Sequence, residues 1–323
     1  MWQGVDFSGG GVDIYRSVGA ACELQRHNPN VFDNVTHVSG ASAGSVLATL
    51  FALTNKDMAV VRKEFLSFDF SLVFGDSFLE DEKLHSLYFN FGVNNCEKVL
   101  TTLIDPVLAR YCDGNANVTF KELFKKTHIH LCVRSVDLIQ GKTVHFNHET
   151  YPNKPIRSAL WASCSVPWFS EPAIYERMYL IDGGVLANVE PHCFSPSPQN
   201  VLCIYIEKEW SELLGPFHKH LANASMGEVR GEAVLSTHLS VALSVMLVAT
   251  VTLQRAVCDT IESASKICIK IDGHSNFVDT TDIDKRKHEM LANGENVVRF
   301  DRITEKTMQW LVLLCTISHC CTK

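Results

Sequence analysis

The sequence predicts an α/β fold built on a mostly parallel sheet that helices cover. In the first two hundred residues, short apolar segments alternate with longer segments of helical periodicity, and this alternation is typical of strand–helix–strand units. Glycine-rich turns stand where two early strands would lead into helices, at residues 9–11 and 40–44. Of the 323 residues, 46% are hydrophobic and 20% are charged, which indicates a packed globular chain and excludes a disordered or fibrous one.

The predicted elements follow in order along the chain. Short apolar segments typical of strands cover residues 5–7, 35–38, 129–133, 144–146, 179–181, 201–206 and 267–271. Segments with helical periodicity cover residues 14–22, 45–53, 118–127, 156–162, 215–262 and 281–294. Pro155 is well placed to open one of these helices, and Gly294 stands where the last one would stop. Strands and helices therefore alternate up to about residue 210, and helix dominates beyond it.

A change of composition near residue 212 predicts two parts. An α/β domain would cover residues 1–212, and a C-terminal helical extension over residues 213–323 would pack on it. The most apolar run, at residues 239–253, is shorter than the roughly 20 residues that a membrane-spanning helix needs. The chain opens without a basic, apolar leader. We therefore expect a cytoplasmic protein that is soluble or attaches peripherally to membranes or lipid droplets.

Charge and aromatic content limit the partners that the chain can bind. Twenty-nine basic and thirty-six acidic side chains give a formal net charge of −7, so nucleic acid is not an expected partner. Attraction to a membrane would come mainly from apolar contact. Aromatic side chains crowd residues 65–91. They could form an apolar trough for an acyl chain, in which each buried methylene contributes about 0.8 kcal/mol, or they could pack in an ordinary core.

The sharpest local motif is Gly40-Ala41-Ser42-Ala43-Gly44, directly between a predicted strand and a predicted helix. A nucleophilic serine needs its hydroxyl presented on a tight turn, and flanking glycines relieve the crowding there. The positive N-terminal end of the following helix would help to hold developing negative charge. Turns of small residues also arise for packing alone, so the pentapeptide by itself leaves both interpretations open.

Gly9-Gly10-Gly11 stands at another predicted strand-to-helix turn. Backbone N–H groups without neighbouring side chains could point at an oxyanion there. A phosphate-binding loop is the competing use, but the sequence has neither of the usual nucleotide-binding glycine patterns. A plain tight turn is the third interpretation.

Asp182-Gly183-Gly184 directly follows a predicted strand. A carboxylate held there could take the proton from Ser42. An unperturbed aspartate has a pKa of about 3.9 and is a weak base, so this role would need partial desolvation or a short contact. Asp-Gly is also a common turn dipeptide, so the motif is weak evidence when it is taken alone.

The order of the motifs separates two designs of serine hydrolase. An α/β-hydrolase places an acid and then a histidine after its nucleophile. Seven of the fourteen histidines lie beyond Asp182, but none is embedded in a recognisable motif. A dyad of Ser42 and Asp182 without histidine therefore explains the spacing better.

Taken together, these motifs resemble those of the patatin-like phospholipases: a glycine triplet, Gly-x-Ser-x-Gly about thirty residues later, and then Asp-Gly-Gly. Residues 118–124 and 156–167 also match the family's segments, and Asn188 with Pro191 is similar to its closing motif. The resemblance covers roughly residues 3–210. Residues 7–15 look somewhat like the start of the adiponutrin branch.

The resemblance implies a three-layer α/β/α fold with a mostly parallel central sheet, and hydrolysis of lipid acyl esters without a metal ion or other cofactor. It assigns the nucleophile to Ser42, the base to Asp182 and the oxyanion loop to Gly9, Gly10 and Gly11. Four further glycines would support the turns of these motifs: Gly40, Gly44, Gly183 and Gly184.

The resulting prediction is a serine acyl hydrolase that cleaves fatty-acyl esters of phospholipids or lysophospholipids at a lipid or membrane surface, through an acyl-enzyme. A triacylglycerol lipase or thioesterase on the same dyad is one alternative, and a catalytically weak lipid-binding relative is another. The second alternative rests on Asp13, which stands where many family members carry Arg or Lys. An acidic side chain near an oxyanion would be unfavourable unless it points to solvent.

Overall fold

The computed structural model describes residues 2–69, 92–94, 96–193, 198–207, 265–270 and 283–300. The strands within these residues are β1 (Gly4–Phe7), β2 (His37–Ala41), β3 (Gly92–Asn94), β4 (His130–Asp137), β5 (Lys142–Phe146), β6 (Trp168–Ser170), β7 (Ala173–Tyr175), β8 (Met178–Asp182), β9 (Val201–Glu207) and β10 (Ser265–Lys270). The α-helices are α1 (Ile14–His27), α2 (Ala43–Leu53), α3 (Met58–Ser67), α4 (Cys96–Tyr111), α5 (Phe120–Thr127), α6 (Ile156–Cys164), α7 (Gly184–Ala187) and α8 (Ile283–Phe300).

Within the described residues, the central sheet has eight strands and is mixed, with a parallel majority. Strands β10, β9, β1, β2 and β4 lie side by side in that order, and each pair is parallel. Strands β5 and β8 both pair antiparallel with β4, and β7 pairs antiparallel with β8. Every residue of β1 is buried, as expected for an inner parallel strand covered on both faces. The predicted α/β fold with a mostly parallel central sheet is confirmed.

The registers on β4 show how two strand ends come to meet. Strand β5 occupies one edge of β4 over residues 133–137. The other edge takes β2 as far as the pair Ala41–Arg134 and then takes β8 from the pair Asp182–Ser135. Because β2 runs parallel to β4 and β8 runs antiparallel to it, their carboxyl ends abut on this edge. Both chains must turn out of the sheet at this point.

Local sequence signals explain where several helices begin. Helix α5 starts with a capping box in which the Thr119 hydroxyl accepts a hydrogen bond from the Glu122 N–H, while the Glu122 carboxylate accepts one from the Thr119 N–H. This reciprocal arrangement satisfies two backbone donors that a helix start leaves open. Pro155 caps α6 as predicted. At the start of α3, the Asp57 carboxylate accepts hydrogen bonds from two backbone N–H groups.

The end predicted for the last helix is wrong. Helix α8 continues past Gly294 to Phe300, and Gly294 serves a close approach between helices instead. A Cβ atom at Gly294 would lie 1.8 Å from the Arg16 carbonyl oxygen of α1, and one at Gly19 would lie 2.1 Å from the Leu291 carbonyl oxygen. The two glycines therefore let α1 and α8 pack backbone against backbone.

Several predictions concern residues outside the described part of the chain. The helical segment 215–262, the capping box at Thr281 and most of the aromatic stretch 65–91 lie there. Of that stretch, Phe65 and Phe68 are buried in the core. The division of the chain at residue 212 stays a prediction. Among the described helices, none combines the length and the apolar character needed to cross a bilayer.

Candidate active site

Ser42 lies on a sharp turn between β2 and α2. Its backbone has φ 52° and ψ −134°, a conformation that non-glycine residues rarely adopt and that occurs mostly at functional sites. Gly40 and Gly44 make the turn possible. A Cβ atom at Gly40 would lie 2.2 Å from the Gly44 carbonyl oxygen, and one at Gly44 would lie 2.3 Å from the Phe7 carbonyl oxygen. Ser42 is therefore presented at the N-terminus of α2, where helix N–H groups favour negative charge.

Asp182 ends β8 and is buried. Its Oδ1 accepts a hydrogen bond of 2.7 Å from the Gly184 N–H. Burial raises the pKa of Asp182 to about 6, against smaller lowering effects from the Ser42 hydroxyl and the Gly184 N–H. Its Oδ2 is buried and has no hydrogen-bond partner within the described residues. Hydrogen bonds between a nucleophile and its base are often long without substrate and tighten in the reacting complex.

The end of helix α6 ties the two turns together. The Ser42 N–H donates to Ser163 Oγ over 2.9 Å. The Ser163 carbonyl accepts from the Gly183 N–H over 3.2 Å, and the Ser165 carbonyl accepts from the Asp182 N–H over 2.8 Å. These three bonds, together with the abutting ends of β2 and β8, hold the Ser42 and Asp182 backbones in one position relative to each other.

The three glycines of the early loop have different roles in the structure. Gly9 packs directly on Ser42, since a Cβ atom there would lie 2.7 Å from Ser42 Cβ. Its N–H already donates to Asn188 Oδ1 over 2.7 Å. In contrast, the N–H groups of Gly10 and Gly11 have no hydrogen-bond partner among the described residues, and Gly11 has a positive φ of 58°. Gly10 and Gly11 are therefore the donors that this loop leaves available.

A fully buried Arg134 supports the loop of residues 9–11 through the segment 187–190. Its Nη1 donates to Asp6 Oδ1 over 2.6 Å, its Nε donates to the Ala187 carbonyl over 2.9 Å and its Nη2 donates to the Asn188 carbonyl over 3.1 Å. The other carboxylate oxygen of Asp6 accepts from the Glu190 N–H over 2.7 Å. The buried ion pair thus fixes residues 187–190, and Asn188 in turn fixes Gly9.

The Asp13 side chain does not point to solvent, so exposure does not remove its unfavourable charge from the oxyanion loop. Its side chain is buried and pairs with Arg16, whose Nε lies 3.2 Å from Asp13 Oδ1. A charge-assisted hydrogen bond of this kind neutralises much of the negative charge. The basic partner comes from the next turn of α1, three residues along the chain.

The sequence motifs contain the site residues but not the residues that support them. Ser163 lies within a segment that matches the family, and Asn188 within its closing motif, but neither pattern indicates the supporting role. No motif includes Asp6 or Arg134. A charged residue inside an apolar strand was the available signal for both, because such residues are rarely buried without a partner.

Metal-ligating side chains come together at the other end of β4. Of the described residues, His130, His148 and Glu149 form a group whose ligand atoms all lie within 4.8 Å of one another. His130 is the first residue of β4, so it lies about 13 Å along the strand from Arg134. This group is therefore separate from the Ser42 site.

One family model matches more than half of this chain. The patatin-like phospholipase family model matches residues 7–192, which is more than half of the chain. "Uncharacterized protein R571" of Acanthamoeba polyphaga mimivirus is 28% identical over 183 residues, covering 56% of this chain and 57% of the relative. "Probable lipid hydrolase 463L" of Invertebrate iridescent virus 6 is 36% identical over 72 residues, covering 22% and 25%. The chain thus matches little more than half of one relative and a quarter of the other.

A solved structure supports the fold. VipD from Legionella pneumophila superposes with a TM-score of 0.56 at 14% identity, covering 92% of this chain and 67% of that one. Identity at this level carries the fold and nothing finer. The family match runs from the end of β1 to beyond Asp182, and the turns of all three motifs lie at strand ends. The chain therefore belongs to the patatin-like phospholipase family.

Proposed function

We propose that this protein is a serine acyl hydrolase that cleaves fatty-acyl esters of phospholipids or lysophospholipids with Ser42 as nucleophile and Asp182 as base. The observation that carries the proposal is the meeting of two strand ends on one edge of β4. It brings a serine on a strained turn against a buried carboxyl group of raised pKa.

In the first half of the reaction, Asp182 accepts the proton of the Ser42 hydroxyl while Ser42 Oγ attacks the ester carbonyl carbon. The carbonyl oxygen becomes an oxyanion, which the N–H groups of Gly10 and Gly11 and the N-terminus of α2 would stabilise. When the carbonyl re-forms, the bond to the alcohol oxygen breaks and that oxygen takes the proton from Asp182. The alcohol half of the lipid leaves, and the acyl group stays on Ser42.

In the second half, Asp182 takes a proton from a water molecule whose oxygen attacks the acyl carbonyl. Collapse of this intermediate releases the fatty acid and returns the proton to Ser42 Oγ. A pKa of about 6 suits Asp182 to both steps, because the carboxylate is mostly ionised at pH 7 and is a stronger base than an aspartate in water.

The lipid class of the substrate rests on family membership and on a relative whose name contains lipid hydrolase. Neutral-lipid or thioester hydrolysis on the same dyad remains the second candidate, since the described chemistry would serve any acyl carbonyl. The weak lipid-binding alternative loses its main support, because Asp13 is paired with Arg16. The adiponutrin likeness and a cytoplasmic, peripherally attached location stay predictions.

The first test is release of fatty acid from phospholipid vesicles and from triacylglycerol emulsions, together with labelling by a fluorophosphonate probe. Ser42→Ala is expected to lose labelling and at least 1,000-fold in kcat/KM, and Asp182→Asn a similar fraction of activity. Ser67→Ala is the matched control, because Ser67 is exposed on α3 and should change neither readout. Retained labelling in Ser42→Ala, with both variants folded by circular dichroism, would assign the chemistry to another residue.

A further inference from the structure

We propose that the amino ends of β2 and β4 carry a second site, which binds a borderline transition-metal ion such as Zn²⁺ through His130, His148 and Glu149. These are the side chains whose ligand atoms lie within 4.8 Å of one another. Two imidazoles and one carboxylate are typical zinc ligands, with a fourth position left for water. Calcium and magnesium are poor candidates, because both prefer sites made entirely of oxygen atoms.

Ring stacking holds the two imidazoles in place. The His148 ring stacks on Phe124 of α5 at 3.8 Å between centroids. The His130 ring stacks on His37, its register partner on β2, at 4.2 Å. His130 and His148 meet edge to face at 4.4 Å. Stacking orients each ring without using its nitrogen atoms, so the rings are preorganised while their nitrogens stay available.

One nitrogen in this cluster lacks a partner. His148 Nδ1 is buried and has no hydrogen-bond partner among the described residues. An unpaired buried polar atom costs roughly as much as a lost hydrogen bond and needs an explanation in a folded protein. A bound metal ion, or a metal-bound water, would satisfy it.

The carboxylate is the movable ligand. Glu149 follows His148 in the turn after β5, and its side chain is 73% exposed with Oε1 at 4.0 Å from His148 Nε2. In a tetrahedral zinc site the ligand atoms stand about 3.4 Å apart, given metal–ligand bonds near 2.05 Å. The 4.0 Å contact is made to the nitrogen that an ion on His148 Nδ1 would leave free. The Glu149 side chain would therefore have to rotate to bring its carboxylate to the ion, which its exposure allows. Asn147 fixes the Glu149 backbone, since its Oδ1 accepts from the Glu149 N–H over 2.8 Å.

A metal ion here would join two segments, the start of β4 and the turn that follows β5, directly beside α5. This position lies at the opposite end of β2 and β4 from Ser42, so the ion would stabilise the fold and take no part in acyl transfer.

The test is calorimetric titration of zinc chloride into full-length protein that has been freed of metal with a chelator. We expect one site, at least 100-fold weaker in His148→Gln and in Glu149→Gln, and a rise of a few degrees in Tm at saturation for the wild type only. Glu149→Gln changes an exposed side chain and so guards against loss of folding. His27→Gln, an exposed histidine at the end of α1, is the matched control.

Cobalt substitution gives an independent readout, because tetrahedral Co²⁺ bound to the protein should show visible absorption bands that both ligand variants lose. The proposal is overturned if the wild type binds no zinc. It is equally overturned if His148→Gln and Glu149→Gln bind zinc within threefold of the wild type, since the ion would then sit on other histidines or cysteines.

Discussion

Strand β4 carries two polar clusters that are held in different ways, one at its middle, where the carboxyl ends of β2 and β8 meet, and one at its amino end. In the middle cluster, Arg134 and Asp182 are held by an ion pair and by hydrogen bonds to backbone groups. At the amino end, the rings of His130 and His148 are held by stacking. Hydrogen bonds consume donors and acceptors, whereas stacking leaves them available. The middle of β4 thus carries a network whose donors and acceptors are paired, and its amino end carries imidazole rings that keep nitrogen atoms available.

Burial shifts the pKa values of titratable groups in both clusters. Desolvation raises the pKa of Asp182 to about 6 and lowers the pKa of the clustered histidines. Both shifts disfavour the charged form, as burial does for acids and bases alike. In the middle cluster the Ser42 hydroxyl and the Gly184 N–H limit the shift. The comparison teaches that burial sets the direction of these shifts and that hydrogen bonds moderate them.

The largest expected effect on stability comes from removing the positive charge of Arg134, which pairs with Asp6. Arg134→Met leaves Asp6 buried without its cation, so we expect a loss of about 3–5 kcal/mol in the free energy of unfolding. Denaturant unfolding measures it. The exposed Arg177→Met should leave stability unchanged. A comparable stability in Arg134→Met and wild type would mean that the ion pair does not organise this part of the strand.

Burial of the Asp182 carboxyl group destabilises the folded protein when this group is ionised. A pKa raised from 3.8 to about 6 means that the folded state holds its proton more tightly than the unfolded state does. Folding stability is therefore lost as the pH rises from about 4 through 6. Asp182→Asn removes this loss and should be more stable than wild type by about 3 kcal/mol at pH 7 to 8.

Below pH 4 the same two proteins should be nearly equal in stability, because the aspartate is then neutral in both states. Unfolding curves at pH 4 and pH 7.5 test this, with Asp33→Asn at an exposed position as the control. A variant that is less stable than wild type at pH 7.5 would show that the carboxylate stabilises the fold. The wild-type kcat/KM should fall about tenfold per pH unit below pH 6, since the base must be ionised.

A smaller effect is expected at the loop that the network supports. Asn188→Ala leaves the Gly9 N–H without its acceptor, which should cost about 1–3 kcal/mol of stability and lower kcat about 10-fold to 100-fold through misplacement of Gly10 and Gly11. Asn188→Asp keeps the acceptor for the Gly9 N–H but adds a carboxylate close to Asp182, so it should restore stability while kcat stays low. If the alanine and aspartate variants are equally stable, the loop does not depend on this hydrogen bond.

The sequence predicted the motifs better than it predicted their supports. The turns at Ser42 and Asp182 carry small residues that are ambiguous when each turn is taken alone, but their order along the chain made the set recognisable. Arg134 and Ser163 could not be recognised, because their roles depend on which distant backbone groups lie against them. The last helix shows the same limit: Gly294 carries the usual mark of a helix end, yet α1 decides its role by packing on it.

Hydrophobic periodicity and turn chemistry act over a few residues, and they by themselves determined most of the described strands and helices and the two tight turns; the short strands β3, β6 and β7 were not predicted. Tertiary structure alone decided that β2 and β8 share an edge of β4, because that register depends on the pairs Ala41–Arg134 and Ser135–Asp182, which join segments far apart in the sequence. That register sets Ser42 against Asp182 and gathers the histidines at the opposite end. The approach of the Ser42 and Asp182 turns is therefore a property of the sheet, since neither motif contains information about the position of the other.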